Sequence, residues 1–447
     1  MSKQHHPVGR VSPKGVTRQD VEPPAHEDVG LRINVGLRFA NPTYGTGWVL
    51  TTVGDFCPFK YGKGLPERDR KVGLVPVISS AGHVGYHSTA HVLSSGIVIG
   101  RKGTVGSITF SERPFWPIDT TFFVEDDPIR RDIRFTYYLL TTLGLSQMNT
   151  DSAVPGLNRD NAHVLAVKVP PIWEQRAIAS TLQSLDDRIT LLRETNATLE
   201  AIAQALFKSW FVDFDPVRAR MEGRLPVGMD EATAALFPDS FEESELGFVP
   251  RGWRVGTVGE FFVLTMGQSP PGDTYNETGD GLPFYQGRTD FGFRFPTQRI
   301  FCTAPARLAE VGDTLVSVRA PVGDINMAIE KCCLGRGVAG IRHPKGFNSF
   351  VFYLSQTLRQ QFDIFDTEGT VFGSINKKDF QALSVIEPHQ TVLQAFDDVA
   401  GVIDKRVIEN EEQIRTLSTL RDTLLPRLIS GQLRLPEAEV VINESLP

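Results

Sequence analysis

The chain has 447 residues, a formal net charge of −7 and 41% apolar residues. Its length and apolar content predict several globular domains, and its acidic balance disfavours a protein that binds nucleic acid over its whole surface. No apolar run approaches ~20 residues and no signal-peptide core is present, so we expect a cytoplasmic protein without membrane association. The four cysteines lack metal-ligand spacing, which predicts reduced thiols and no metal site.

Residues 1–40 are polar and rich in Pro, Gly and His, and this composition predicts a flexible N-terminal arm. The first globular domain is predicted over 41–171. It contains short β-type runs such as GIVIG and TTFFV, which Gly and Pro separate, and a helical segment that begins IRFTYYLL. This pattern predicts a mixed domain of strands and helices.

Residues 172–214 predict a long helix, because they contain no Gly or Pro and are rich in strong helix formers. Apolar residues recur there every seven residues, as in a coiled-coil seam. Such a helix would be about 58 Å long at about 1.5 Å per residue. A rod of this length needs a partner helix to bury its apolar stripe.

The second half of the chain repeats the first. After a polar connector, 215–249, the second globular domain at 250–388 opens with GWRVGTVGEF, which repeats GWVLTTVGDF. A second long helix is predicted at 389–431, followed by a short acidic tail at 432–447. The two domain frames match, whereas their inserted loops differ strongly, and this favours a duplicated unit with two different surfaces.

One pairing that the seams allow is antiparallel, with Leu192 beside Ile414. In this register Asn196 meets Asn410, and a buried polar pair of this kind fixes register. The alternative is that these asparagines face solvent where the seam loosens. The predicted helix-pairing residues are Leu182, Leu185, Ile189, Leu192, Asn196 and Leu199 on the first helix, and Ile403, Val407, Asn410, Ile414, Leu417 and Leu424 on the second.

Phe207 and Phe211 lie on the first helix outside this filled seam. Both rings are predicted to be core or interface residues, and since the seam is filled they are candidates for a surface that a partner subunit covers.

Several long segments carry a family resemblance. EQRAIASTLQSLDDRI, LEAIAQALFKSWFVDFDPVRARMEG, ESELGFVPRGW and LRDTLLPRLISGQLRL, in this order, resemble the specificity (S) subunit of type I restriction–modification systems. The resemblance runs from about residue 47 to residue 435. The N-terminal arm is longer than is usual in that family.

The resemblance implies an α+β fold with two similar target recognition domains, joined by two long antiparallel helices in a pseudo-two-fold repeat. It also implies a non-catalytic subunit whose domains each read one half of a split double-stranded DNA sequence. Two methyltransferase subunits would dock on the helices, and restriction subunits would join them. S-adenosylmethionine, ATP and magnesium would belong to those partners, so no cofactor is expected on this chain.

Bases are read by side-chain donors and acceptors, and phosphates are held by cations. The polar, divergent loops supply such groups, and Lys102 and Arg319 stand out because the repeat places a cation at both positions. The candidate DNA-binding residues are Lys60, Lys63, Arg68, Arg70, Lys71, Ser80, His83, His87, Arg101 and Lys102 in the first domain, and Gln268, Ser269, Tyr275, Gln286, Arg288, Thr289, Arg294 and Arg319 in the second.

Other functions fit the sequence less well. The segment 41–44, NPTY, differs from the N-P-P-Y/F motif of DNA methyltransferases and has no glycine-rich cofactor loop beside it. The sequence has no Glu-x-Lys pair after Pro238-Asp239, which a nuclease site would need. It also has no phosphate-binding loop, which a motor would need. The remaining alternative is a coiled-coil scaffold that joins proteins without contacting DNA.

Overall fold

The computed structural model describes residues 47–148, 156–367 and 373–445. The predicted N-terminal arm and the NPTY segment lie outside these residues. Within the described ranges, no helix has both the length and the apolar character needed to cross a membrane.

Within its described residues, the first domain combines nine strands with three short α-helices. The strands are β1 Val49–Thr52, β2 Lys60–Tyr61, β3 Val75–Ser79, β4 Gly82–His87, β5 Gly96–Gly100, β6 Ile108–Ser111, β7 Trp116–Pro117, β8 Thr121–Glu125 and β9 Ala166–Val169. The helices are α1 Val53–Phe56, α2 Ile133–Thr141 and α3 Arg159–His163.

The long helix α4 spans Ile172–Phe211, and helices α5 Asp215–Met221 and α6 Glu231–Ala234 follow in the connector. Pro171 lies immediately before α4, where its missing N–H costs no helical hydrogen bond. Phe214 has a φ of 56°, so the chain turns sharply between α4 and α5. The connector ends in the hairpin β10 Phe241–Ser244 and β11 Gly247–Pro250.

The second domain is built from the elements β12–β22 and α7–α10. The strands are β12 Arg254–Thr257, β13 Val263–Met266, β14 Tyr275–Asn276, β15 Leu282–Tyr285, β16 Phe301–Cys302, β17 Leu308–Ala309, β18 Thr314–Ser317, β19 Ile325–Met327, β20 Cys332–Leu334, β21 Val338–Arg342 and β22 Ser384–Glu387. The helices are α7 Val258–Phe261, α8 Asn348–Thr357, α9 Arg359–Thr367 and α10 Lys377–Gln381.

The sheets show that the repeat is structural. The first domain has a four-stranded sheet of order β2-β8-β5-β6, and the second has its counterpart, β13-β21-β18-β19. A second sheet in each domain contains a parallel pair, β3 with β7 and β15 with β20. Each domain closes with an antiparallel pair between its first and last strands, β1 with β9 and β12 with β22.

The second long helix, α11, spans Gln390–Ile429, and a helix α12, Leu435–Ser445, follows it. Gly431, which has a φ of 74°, lies after the end of α11, as is typical of helix C-termini. The segment that we predicted as a tail is therefore largely helical. Its apolar side chains explain this, because Leu435, Ala438 and Ile442 are buried.

Helices α4 and α11 pair antiparallel, and each end of the pair belongs to a different hydrophobic core. One core joins the first domain to Leu182–Leu192 of α4 and to the C-terminal half of α11. The other joins the second domain to Ala203–Phe211 and to the N-terminal half of α11. The α+β fold with two domains on an antiparallel helix pair is thus confirmed.

A polar layer lies where the two cores meet. Nδ2 of Asn410 donates to Oδ1 of Asn196 at 2.7 Å, and both residues are fully buried. Nδ2 of Asn196 donates in turn to Glu411 at 2.7 Å. Of the other predicted seam residues, Leu199 and Ile403 are only partly buried and pack on the second core, whereas Leu182, Leu185, Ile189, Leu192, Val407, Ile414, Leu417 and Leu424 are buried.

The prediction that Phe207 and Phe211 form a partner's surface is wrong. Both rings are buried, and the two lie 5.6 and 5.1 Å from the ring of Phe396 on α11. The seven-residue repeat could not show this, because the second domain, rather than another subunit, covers this side of α4.

The asparagine pair generates a test of the helix seam. Asn196→Leu should lower the free energy of unfolding by roughly 1–3 kcal/mol, because it leaves the buried Asn410 amide without its partner. Adding Asn410→Leu should recover part of this loss, since no buried amide is then unsatisfied. A double-mutant cycle with hydrogen exchange at the middle of α4 measures the coupling. Independent, additive costs would contradict a direct contact between the two amides.

Candidate nucleic-acid interface

Each domain is anchored to the helix pair through one carboxylate, which is buried in the second domain and half-buried in the first. In the second domain, the Tyr353 hydroxyl donates to Asp404 of α11 at 3.2 Å, and the Ser349 hydroxyl donates at 2.7 Å. Arg294 forms ion pairs with both Asp404 and Glu200 of α4. Burial raises the pKa of Asp404, and the Arg294 guanidinium partly offsets this rise. One arginine thus ties the domain to both helices.

The first domain repeats this anchor with a different cation. The Tyr138 hydroxyl donates to Asp186 of α4 at 2.6 Å, and Arg421 of α11 donates to the same carboxylate at 2.8 Å. Arg421 comes from the opposite helix, whereas the second domain supplies its own arginine. Both arrangements place a positive charge beside a carboxylate that is partly or fully removed from water.

The prediction that Arg294 contacts DNA is therefore wrong. Its side chain is 1% exposed, and its guanidinium lies 3.5 Å from the centroid of the Phe352 ring. The sequence placed it in a polar, divergent loop, and nothing in that loop indicated that the side chain turns inward to two helix carboxylates.

Two more candidates are wrong for a similar reason. Ser80 and His87 are both buried. Nδ1 of His87 accepts from the Lys71 N–H at 2.9 Å, so the buried imidazole stabilises the backbone of the basic loop that contains Lys71.

The remaining candidates of the first domain lie at the surface or partly exposed. Lys60 pairs with Glu125. Arg70 donates to the Val84 carbonyl at 2.7 Å and ties its loop to β4. The exposed candidates are Lys60, Lys63, Arg68, Lys71, His83 and Lys102, and the half-buried ones are Arg70 and Arg101.

The remaining candidates of the second domain are exposed or half-buried. Tyr275 donates its hydroxyl to Pro270 at 2.7 Å and stacks on Phe284, so it serves the loop itself. Arg288 pairs with Asp324 at 2.9 Å. The exposed candidates are Gln268, Gln286, Arg288, Thr289 and Arg319, and the half-buried ones are Ser269 and Tyr275.

The two domains place different side chains in one backbone frame. The Lys63 N–H donates to the Pro117 carbonyl at 2.9 Å, and the Gln268 N–H donates to the Leu334 carbonyl at the same distance. Pro117 ends β7 and Leu334 ends β20, which are equivalent strands. Lys63 and Gln268 therefore occupy equivalent positions, one with a cation and the other with an amide.

Lys102 and Arg319 are also equivalent. Lys102 forms an isolated β-bridge with Gly156, and Arg319 forms one with Ser374. Both side chains are exposed at the surface. The sequence repeat aligned these two cations, and the structure shows them at equivalent positions. This follows because the turn that carries them is common to both domains.

Sequence reasoning missed two charged residues on this frame. Arg336 is exposed beside Ser269, whose hydroxyl accepts from the Arg336 Nε at 3.2 Å. Asp119 is exposed in the first domain, and its carbonyl accepts from Arg101 at 3.0 Å. The glycines on both sides of Arg336 in LGRGV were the available signal.

Comparison with known proteins finds similarity to type I specificity subunits. The family model described as the type I restriction modification DNA specificity domain matches residues 46–201. A Methanocaldococcus jannaschii protein, assigned as the MjaX specificity subunit of a type I restriction enzyme, is 30% identical over 284 residues. The match covers 62% of this chain and 62% of the M. jannaschii protein, so the chain spans less than two thirds of that relative.

Two further family members extend the comparison. The HindI specificity subunit of Haemophilus influenzae is 26% identical, over 62% of this chain and 71% of its own length. The crystal structure of a type I restriction–modification S subunit from M. genitalium has a TM-score of 0.61 at 15% identity, and covers 87% of this chain and 98% of its own. The chain therefore shares the fold of this S subunit over 87% of its length.

The anchor of the second domain generates a stability test. Arg294→Met should destabilise the second domain by roughly 3–5 kcal/mol, because it leaves Asp404 buried without a cation. Hydrogen exchange of the α8 amides measures the loss.

Arg288→Met is the matched control, since its guanidinium is half exposed and Asp324 keeps a second partner in Arg359. It should change stability by less than about 1 kcal/mol. Equal effects of the two substitutions would contradict the anchor.

Proposed function

We propose that this chain is the DNA-sequence specificity subunit of a type I restriction–modification complex. Each domain reads one half of a split double-stranded target, and the helix pair sets the distance between the halves. The chain performs no catalysis. It would dock two methyltransferase subunits, and restriction subunits would join that assembly; S-adenosylmethionine, ATP and magnesium would be bound by those partners.

The observation that carries this proposal is the occupation of one backbone frame by different polar side chains. Lys63 in the first domain is replaced by Gln268 in the second, while the backbone hydrogen bonds at these positions are the same. Amide and cationic side chains favour different bases, since Gln pairs with adenine and Lys with guanine. Two domains with the same backbone structure and different polar side chains suit two half-sites of different sequence.

The helix pair supports the proposed spacing. Each helix has 40 residues, about 60 Å at about 1.5 Å per residue. Grooves on one face of DNA recur at about 34 Å, one helical turn. A rod of this length with a domain core at either end suits two half-sites separated by a gap that neither domain reads.

Lengthening the rod tests the spacing. Seven residues inserted into both helices beside the Asn196–Asn410 layer preserve the seam and add about 10 Å. We expect the gap between half-sites to grow by about three base pairs, with both half-sites unchanged. Selection of bound duplexes from a library of gap lengths measures this.

Seven residues inserted at Gly228, in an exposed turn of the connector, provide the control. This insertion should leave the gap unchanged. An unchanged gap after the helix insertions would contradict the proposal that the helix pair sets the distance between the half-sites.

The equivalent cations generate a binding test. Lys102→Ala and Arg319→Ala should each weaken DNA binding, and loss of a phosphate contact should reduce the slope of log K against log salt by about 1. Arg251→Ala, an exposed arginine in the turn before β12, is the control and should change neither quantity. Fluorescence anisotropy across a salt series checks this. Absence of salt-sensitive, sequence-selective DNA binding by the unaltered chain would favour the scaffold alternative.

A further inference from the structure

Two equivalent turns carry exposed side chains of opposite charge, Asp119 in the first domain and Arg336 in the second. We propose that these residues determine specificity at one base pair in each half-site. Arg336 donates to the N7 and O6 atoms of a guanine, and the Asp119 carboxylate accepts from the exocyclic amino group of a cytosine. The inference deepens the proposed function and rests on it.

The backbone shows that the two turns are equivalent. The Ile118 N–H donates to the Ile78 carbonyl at 3.0 Å, at the end of the parallel pair β3–β7. The Gly335 N–H donates to the Tyr285 carbonyl at 2.8 Å, at the end of the parallel pair β15–β20. In each turn the next residue is the charged one. The two charged side chains therefore project from equivalent positions in the two domains.

The turn that carries Arg336 is held tightly against the neighbouring strand. The Gly337 N–H donates to the Gln286 carbonyl at 3.1 Å. A Cβ on Gly335 would lie 2.8 Å from the Gln286 Cα, and a Cβ on Gly337 would overlap the Gln286 carbonyl. Only glycines allow this close approach, so the base of the Arg336 side chain is fixed beside an exposed amide.

One nitrogen of the Arg336 guanidinium is held by a hydrogen bond, whereas its other two nitrogens are available to a ligand. Ser269 accepts from Nε at 3.2 Å and from the backbone N–H at 3.4 Å. Among the described residues, the two terminal nitrogens have no hydrogen-bond or ion-pair partner. A fork of two free N–H groups matches the two acceptors of guanine in the major groove.

The Asp119 carboxylate can only accept hydrogen bonds, whereas the side chains around it are donors. Lys63 and Lys102 are exposed nearby in the same frame, and Arg101 binds the Asp119 carbonyl rather than its carboxylate. Among the described residues, this carboxylate forms no ion pair. A carboxylate repels phosphate, so the group on DNA that it fits is an amino donor on a base edge, and cytosine N4 is such a donor.

Selection of duplexes from a randomised library, by the full chain with and without its methyltransferase partner, tests the inference. The unaltered chain should select a split motif with a guanine in one half and a cytosine in the other. Arg336→Gln should replace that guanine by adenine, because Gln pairs with adenine. A misfolded variant could not produce this change.

Asp119→Ala should remove the cytosine preference, and this change must appear in the other half-site. Discrimination at the guanine read by Arg336 should fall by roughly 5- to 150-fold, which corresponds to one bidentate base contact. Lys345 is an exposed lysine that donates to Gln390 at the start of α11, and Lys345→Ala should leave the motif unchanged.

The outcomes separate the inference from the proposed function. If the unaltered chain selects no split motif, the proposed function fails. If it selects one and Arg336→Gln keeps the guanine, the inference alone fails. A uniform loss of affinity for all sequences, with a smaller salt slope, would make Arg336 a phosphate contact and would also overturn the inference.

Discussion

The antiparallel pairing of α4 and α11 is the constraint on which the rest of the structure depends. Neither helix has a core of its own, since the buried residues of each belong to clusters that also contain a globular domain. The two cores meet at the buried amides of Asn196 and Asn410. A buried polar contact at this point penalises any other register of the seam. Register therefore determines where each domain lies along the rod.

The carboxylates Asp186 and Asp404 transmit this register to the domains. A tyrosine hydroxyl binds each of them, but the cation comes from α11 in one case and from the second domain in the other. Buried ion pairs of this kind contribute little net stability, because desolvation offsets the attraction. Their value is geometric: Arg294 bonds both helices at once and so orients the second domain on the rod.

The sequence predicted the architecture because the apolar seam and the repeated frame are periodic signals. The helix pair, the register at Asn196 and the equivalence of Lys102 with Arg319 all follow from counting residues. The inward turn of Arg294 and the burial of His87 could not be predicted, since a polar residue in a divergent loop looks the same whether it faces solvent or a buried carboxylate. Helix α12 was missed for a related reason: so short a segment needs the core of the first domain to bury its apolar side chains.

The central claim is that one chain holds two unlike readers at a fixed distance. Mapping of methylated adenines across the genome of the source cell, with and without this chain, tests it most directly. The account predicts a split motif, two short specified halves around an unspecified gap of constant length, that disappears when the chain is removed. A contiguous motif, or a split motif that persists without the chain, would contradict it.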